Sequence, residues 1–242
     1  MHREYHKWFT PRLQRDMELL VFGHAGARVL VFPTRGGRFY EYENLRMTDW
    51  LADKLDGGHL QLYCIDSVDT ESFYCWWAHP SGRIARHQAY EAYILEEVLP
   101  LMDRLNRHPC TISHGCSLGA YHAANLALRH PGRFQKLAAF SGRFDLTTQV
   151  EWFGDLLDGY YSDNVYFNMP LHFLPNLDDP ARLDALQRMD IVLAVGEADP
   201  FRAQNERLCD ILRDKGAQPK LHLWQDRAHQ GYYWRRMAAM YL

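Results

Sequence analysis

Apolar positions along the chain follow two rhythms. Short continuous runs bounded by Gly, Pro or Asp read as buried strands: "MELLVFG" from Met17, "ARVLVFPT" from Ala27, "LQLYCIDSV" from Leu60, "KLAAFSG" from Lys136, "DIVLAVG" from Asp190 and "KLHLWQ" from Lys220. The stretch "RIARHQAYEAYILEEVLPLMDRL" instead repeats apolar residues at Ile84, Tyr90, Tyr93, Ile94, Val98 and Leu101, and this spacing predicts one long amphipathic helix. "FYEYENLRMTDWLADKL" also has helical spacing, and "FRAQNERLCDILRDKG" predicts a helix ended by Gly216. Strands alternating with helices predict an α/β domain with a mostly parallel central sheet covered on both faces. The first two runs, joined only by the turn "HAG", predict an antiparallel start.

One region breaks the alternation. Residues 147–188 are rich in aromatics, Asp, Asn and Pro, too long for a plain connection and too aromatic for a disordered linker. The expectation is a single domain over residues 1–242 with an ordered insertion at 147–188, before the penultimate strand, that packs on a sheet edge or caps a pocket.

Composition narrows the function classes. The chain has 242 residues, enough for one sizeable core. Its 27 basic and 30 acidic residues form no block of one sign, so nothing draws it to nucleic acid or an anionic membrane, and a small near-neutral partner is expected. No apolar run approaches the roughly 18 residues of a membrane span, and the polar, aromatic start "MHREYHKWFTPRLQRD" lacks the apolar core of a signal peptide. Five scattered cysteines, none in a CxxC pair, fit reduced thiols rather than a disulfide framework or a zinc site. A cytoplasmic protein without metal or organic cofactor is expected, with self-association left open.

The chemistry gathers around "TISHGCSLGAYHAANLALRHP" (Thr111 to Pro131), a strand, a Gly-x-Ser-x-Gly turn and a helix. In this arrangement Ser117 sits at the apex of a strained strand-to-helix turn, and Gly115 and Gly119 are small so that neighbouring backbone can close around it. The amide of Leu118, at the helix N-terminus, points to the same space and suits a developing oxyanion. Cys116 occupies an x position, directed away from the apex, and reads as packing. His122 reads as a satisfied polar residue on the following helix. A serine nucleophile requires an acid and then a histidine later in the chain, the order of the α/β-hydrolase fold. "EADPF" offers Glu197 and Asp199 after one strand, and "DRAHQGYYW" offers His229 after the next, with Asp226 a further acid.

Together, "HGCSLGAYHAANLALRHPGRFQKLAAFSGRFDL", "DGYYSDNVYFNMP", "VGEADPF" and "AHQGYYWRRM" resemble bacterial esterase-like proteins related to esterase D and the mycobacterial mycolyltransferases, some of them polyhydroxybutyrate-depolymerase-like. The resemblance covers nearly the whole chain. It implies the α/β-hydrolase fold, Ser117 as nucleophile, Asp199 as acid, His229 as base, and a second oxyanion amide at Arg35 or Gly36 in "TRGGRF". Two departures stand out. Relatives commonly have Gly-His-Asp where this chain has Ala228, His229 and Gln230, and a smaller residue at Arg35. The expected activity is hydrolysis of small carboxylic esters, with acyl transfer on the same residues, or a non-catalytic binding protein on the same fold, as alternatives. Tyr74, Trp76 and Trp77 in "ESFYCWWAHP", with Tyr160, Tyr161, Tyr166 and Phe167 of the insertion, are candidates for an aromatic pocket wall.

Overall fold

A computed structural model describes residues 1–242. Its centre is one eight-stranded sheet. The chain enters through β1 (Arg3–Thr10), β2 (Arg15–Phe22) and β3 (Ala27–Phe32), passes three short helices, α1 (Glu41–Asn44), α2 (Met47–Trp50) and α3 (Ala52–Asp56), and returns through β4 (Leu60–Ile65). Helix α4 (Pro80–Tyr93), a π-helical turn over Ile94–Val98 and α5 (Leu99–Leu105) lead to β5 (Thr111–Cys116), α6 (Leu118–Arg129) and β6 (Lys136–Phe140). After α7 (Asp163–Tyr166), α8 (Pro170–Phe173) and α9 (Pro180–Arg188) come β7 (Asp190–Gly196), α10 (Arg202–Asp214), β8 (Lys220–Trp224) and α11 (Gly231–Tyr241).

The strand order is β1-β2-β4-β3-β5-β6-β7-β8, parallel from β4 onward, with β1 and β2 antiparallel at one edge. The antiparallel start therefore exists, but β2 and β3 do not pair with each other. The short turn between them sends the chain across a gap that β4 fills, pairing with β2 on one side and β3 on the other.

Each strand's alternation supplies two cores. Leu30, Tyr63, Leu137 and Leu193 face α4, α6 and α10, where Tyr90, Ala123 and Leu208 meet them. Val29, Val31, Leu62 and Ile112 face the other way, toward Leu51 and Leu55 near α3 and Met237 of α11. Strands buried on both faces have no polar alternation, which is why they read as continuous apolar runs.

Three elements differ from the sequence pattern. Strand β1 has no apolar signature because its inward face is polar: Glu4 bonds His6, and Trp8 Nε1 and Thr10 Oγ1 donate to Glu97 at 2.7 and 2.6 Å. The stretch over residues 39–55 is broken into three helices, with Arg46 in the left-handed region at φ 57° between the first two. The long helix is interrupted by the π-helical turn, two residues before Pro100, whose missing N–H cannot close a normal turn. That wider turn carries Glu96 and Glu97, which reach Arg12 and β1 respectively.

His114 of β5 lies wholly inside the second core. Its Nδ1–H donates to the Ala138 carbonyl at 2.8 Å and its Nε2 accepts from the Tyr42 hydroxyl at 3.0 Å, so the neutral ring is fully satisfied. Burial lowers its pKa from the ordinary 6.5 to about 4, and burial likewise lowers that of His87. Below pH 6.5 the unfolded chain takes up protons that the folded chain refuses, so this stability is present above pH 6.5 and is lost as pH falls toward 4. For His114 the loss amounts to about 3 kcal/mol. Urea unfolding at pH 7, 5.5 and 4.5 should show a steep acid slope that His114→Gln flattens; an unchanged slope in the variant would contradict the assignment.

Candidate active site

Ser117 follows the last residue of β5 and precedes the first of α6, with φ 56° and ψ −122°. A non-glycine residue in that region carries roughly 1–3 kcal/mol of strain, so its surroundings must impose it. They do so by close approach. A methyl group on Gly115 would lie 2.2 Å from the Gly119 carbonyl oxygen, and one on Gly119 would lie 2.5 Å from the carbonyl oxygens of Phe32 and Pro33. The Ser117 amide donates to the Phe140 carbonyl at 2.8 Å, fixing the turn against β6. Helix α6 thus begins in contact with the end of β3.

Two loops on the same sheet edge reach Ser117. After β7, Asp199 accepts from the Phe201 amide through Oδ1 at 2.9 Å and from His229 Nδ1 through Oδ2 at 2.8 Å, its carboxylate sealed from solvent. After β8, His229 then presents Nε2 to the Ser117 hydroxyl at 2.9 Å. Because Nδ1–H is committed to Asp199, the Nε2 lone pair faces the hydroxyl. The imidazole is flanked by Phe201 and Trp234, with centroids at 6.0 and 5.5 Å. The loops after β7 and β8 are themselves joined, the amides of Glu197 and Ala198 donating to the Trp224 and Asp226 carbonyls. The structure therefore brings together Ser117, His229 and Asp199. The other two acids stand apart, Glu197 exposed and Asp226 accepting from the Tyr233 hydroxyl.

The loop after β3 lies beside them. Thr34 donates to Glu41 through N and Oγ1, the Gly37 amide donates to the Thr34 carbonyl, and the Gly36 amide donates to Asp69 Oδ2 at 2.9 Å. Gly36, one of the two expected oxyanion amides, is thus already occupied. The amides of Arg35 and Leu118 have no partner in the protein. Asp69 is a residue the sequence pattern did not single out. It is buried, and its other oxygen accepts from His122 Nε2 at 2.9 Å, so α6 and the loop are tied through one carboxylate. His122 is indeed a satisfied buried residue, and Cys116 packs in the second core with its thiol pKa raised by burial.

These groups open into a cleft of about 280 Å³, lined by Ser117, Leu118 and His229 together with Thr34, Arg35, Tyr74, Arg143, Phe153, Phe201 and Trp234. Of the expected aromatic wall only Tyr74 lines it. Trp77 points into solvent, and Trp76 is half-exposed with its ring edge-on to Tyr74 at 5.5 Å and under the Arg83 guanidinium. Tyr160 packs beside the cluster of Phe73 and Tyr121, and the Tyr161 hydroxyl pairs with His172 outside the cleft. Tyr166 bonds Asn176, and Phe167 is exposed. The insertion contributes Phe153 instead, while its Leu156, Leu157, Val165 and Met169 pack on Leu118 and Tyr121. Arg143 and Phe201 follow the C-terminal ends of β6 and β7, where ligands of such sheets bind, and that rule was the signal available for them.

A family model described as "Putative esterase" matches residues 38–238. The chain belongs to this esterase family. It is accordingly a carboxylic ester hydrolase with the α/β-hydrolase architecture. No curated protein sequence matches it. Among solved structures it is similar to a ferulic acid esterase (14% identity, TM-score 0.76, covering 100% of this chain and 96% of that one). It is also similar to an S-formylglutathione hydrolase from Agrobacterium tumefaciens (17%, 0.71, 98% and 92%). A third neighbour is the fluorophosphonate-binding serine hydrolase F of Staphylococcus aureus (16%, 0.70, 99% and 96%). At these identities the likeness is one of fold. No helix is long and apolar enough to cross a membrane.

The close approach at the turn yields a direct expectation. Gly115→Ala places a methyl group against backbone that has no room to move, and should cost about 2–3 kcal/mol of stability. Denaturant unfolding would measure it; a variant as stable as the parent would show that the turn can relax.

Proposed function

We propose that the esterase acts on small carboxylic esters through an acyl-enzyme on Ser117, with His229 as base and Asp199 orienting it. The observation that carries this reading is the continuous chain Asp199 to His229 to Ser117, at 2.8 and 2.9 Å, ending on a strained serine at the mouth of the cleft. His229 takes the hydroxyl proton as Oγ attacks the acyl carbon. The carbonyl oxygen becomes an anion between the amides of Leu118 and Arg35, the two without a partner. His229 returns the proton to the departing alcohol. Water then enters, gives a proton to His229 and attacks the acyl carbon; as the C–Oγ bond breaks, His229 passes that proton to Oγ, and the carboxylic acid leaves with Ser117 regenerated. Asp199 holds the ring in the tautomer whose Nε2 is free and stabilises its positive form. All five cysteines are unpaired, which fits a reducing compartment, and we place the enzyme in the cytoplasm.

Hydrolysis of 4-nitrophenyl acetate tests the assignment. Ser117→Ala should lower kcat/KM by about 10⁴-fold or more while its thermal unfolding stays cooperative. A Ser117→Ala enzyme that keeps most of its activity would place the chemistry elsewhere.

The Asp69 tether gives a second test. Removing it in Asp69→Ala frees the Gly36 amide and lets the loop carrying Arg35 drift from the oxyanion position. A shift of about 1 Å there costs on the order of a hundredfold. The loss should appear in kcat rather than KM, because the oxyanion contact forms only in the transition state. Equal losses in both, or none, would remove Asp69 from this role.

A further inference from the structure

The cleft beside Ser117 holds two guanidinium groups and no carboxylate on its walls. Arg143 is the unusual one. Only 4% of it is exposed, yet it forms no ion pair with any Asp or Glu. Its Nε donates to the Asp145 carbonyl, and its Nη2 to those of Leu146, Thr148 and Gly154, at 2.7 to 3.4 Å. Its Nη1 has no partner and is not sealed from solvent. The nearest acids are otherwise engaged: Asp145 accepts from Thr147, Thr148 and His172, and Asp155 accepts from the amides of Leu157 and Gly159. Arg35, which also lines the cleft, lies over the Tyr74 ring at 5.5 Å, likewise without an acidic partner.

A buried cation held by carbonyl dipoles and the face of the Phe201 ring, 5.8 Å away, with no carboxylate in ion-pair contact and one donor nitrogen free, is poised for an anion. We infer that this enzyme selects esters that carry a carboxylate on the acyl side, a half-ester of a short dicarboxylic acid being the simplest example, with Arg143 as the anchor and Arg35 as the outer charge. The inference rests on the esterase reading. Phe153 and Phe201, with ring centroids 4.9 Å apart, line the same cleft, and Arg143 lies over Phe201, so connecting methylenes have apolar surface beside the charge that would take the carboxylate. A cleft of about 280 Å³ admits a chain of that length. The four carbonyls alone would make Arg143 a clamp on the insertion. The free nitrogen and the unpaired charge are what a clamp does not need.

The test compares mono-4-nitrophenyl glutarate with 4-nitrophenyl pentanoate, which share a leaving group and differ in the terminal carboxylate. An alcohol-side pair, 4-acetoxybenzoate against its methyl ester, shows on which side the charge is read. The parent enzyme should favour the glutarate ester by about tenfold or more in kcat/KM, with a smaller preference in the alcohol-side pair. Arg143→Met should bring the glutarate ratio near one, Arg143→Lys should keep part of it, and Arg35→Gln should reduce it. Should Arg143→Met fail to fold, the Arg35→Gln ratio and the parent's loss of preference between 20 mM and 500 mM salt carry the decision. A parent ratio of one or less with brisk pentanoate hydrolysis overturns the inference and leaves the esterase reading intact, as does a ratio indifferent to both arginines and to salt. A preference confined to the alcohol-side pair also overturns it. Hydrolysis of none of the four esters overturns the esterase reading, and this inference with it.

Discussion

The backbone at Ser117 is held where an L-residue does not go unforced, and the rest of the site depends on that constraint. Two contacts impose it, Gly115 on the Gly119 carbonyl and Gly119 on the carbonyls of Phe32 and Pro33. Both require the absence of a side chain, and both press α6 against β5 and β3. The hydroxyl then stands clear of the sheet. The first free amide of α6 lies beside it, and the end of β3 arrives at contact distance with the loop that supplies Arg35. One local geometry thereby sets the position of the Ser117 hydroxyl and of both unpartnered amides.

Around this turn the sheet acts as a spacer. Neighbouring parallel strands end on the same edge, so the loops after β3, β5, β6, β7 and β8 bring Arg35, Ser117, Arg143, Asp199 and His229 to one place, although the last is more than a hundred residues from the serine. Each loop has its own restraint. Asp69 ties the β3 loop to His122 of α6, and backbone bonds join the β7 and β8 loops. Rigid support of this kind lets a hydroxyl, an imidazole and a carboxylate keep hydrogen-bond distances without substrate to hold them.

Much of this was legible in the sequence, and the gaps have physical causes. Strands β3, β4, β6 and β7, buried on both faces, announce themselves as apolar runs; β8 shows a run although it is part-exposed, and β5 was legible from the Gly-x-Ser-x-Gly turn that follows it. Strand β1 was not, because Glu4, His6, Trp8 and Thr10 satisfy its inner face with polar contacts. The pairing of β2 with β4 rather than β3 is a long-range choice that no local pattern encodes. At the site, Ser117, Asp199 and His229 stood in chain order at strand ends. Position at a strand end says nothing of side-chain direction, however, and so Trp76, Trp77, Tyr160 and Tyr161 were grouped with Tyr74, the one of the five that lines the cleft. Asp69 and Arg143 were missed because no local pattern marks them: Asp69 meets the Gly36 amide and His122 from distant elements, and Arg143 is clasped by carbonyls of the irregular loop that follows it. The departures at Ala228 and Gln230 leave the His229 contacts in place: Ala228 is buried in the second core, its carbonyl accepting from Ser141 Oγ at 3.3 Å, while the Gln230 side chain is exposed.

The central claim is that Ser117 is an activated nucleophile rather than a small residue in a tight turn. Intact-mass analysis after incubation with a fluorophosphonate, followed by peptide mapping, tests it without reference to any natural ester. The expected result is a single adduct on Ser117, absent from Ser117→Ala and strongly slowed in His229→Ala. No adduct on the folded parent between pH 6 and 9, or an adduct on another residue, would contradict it.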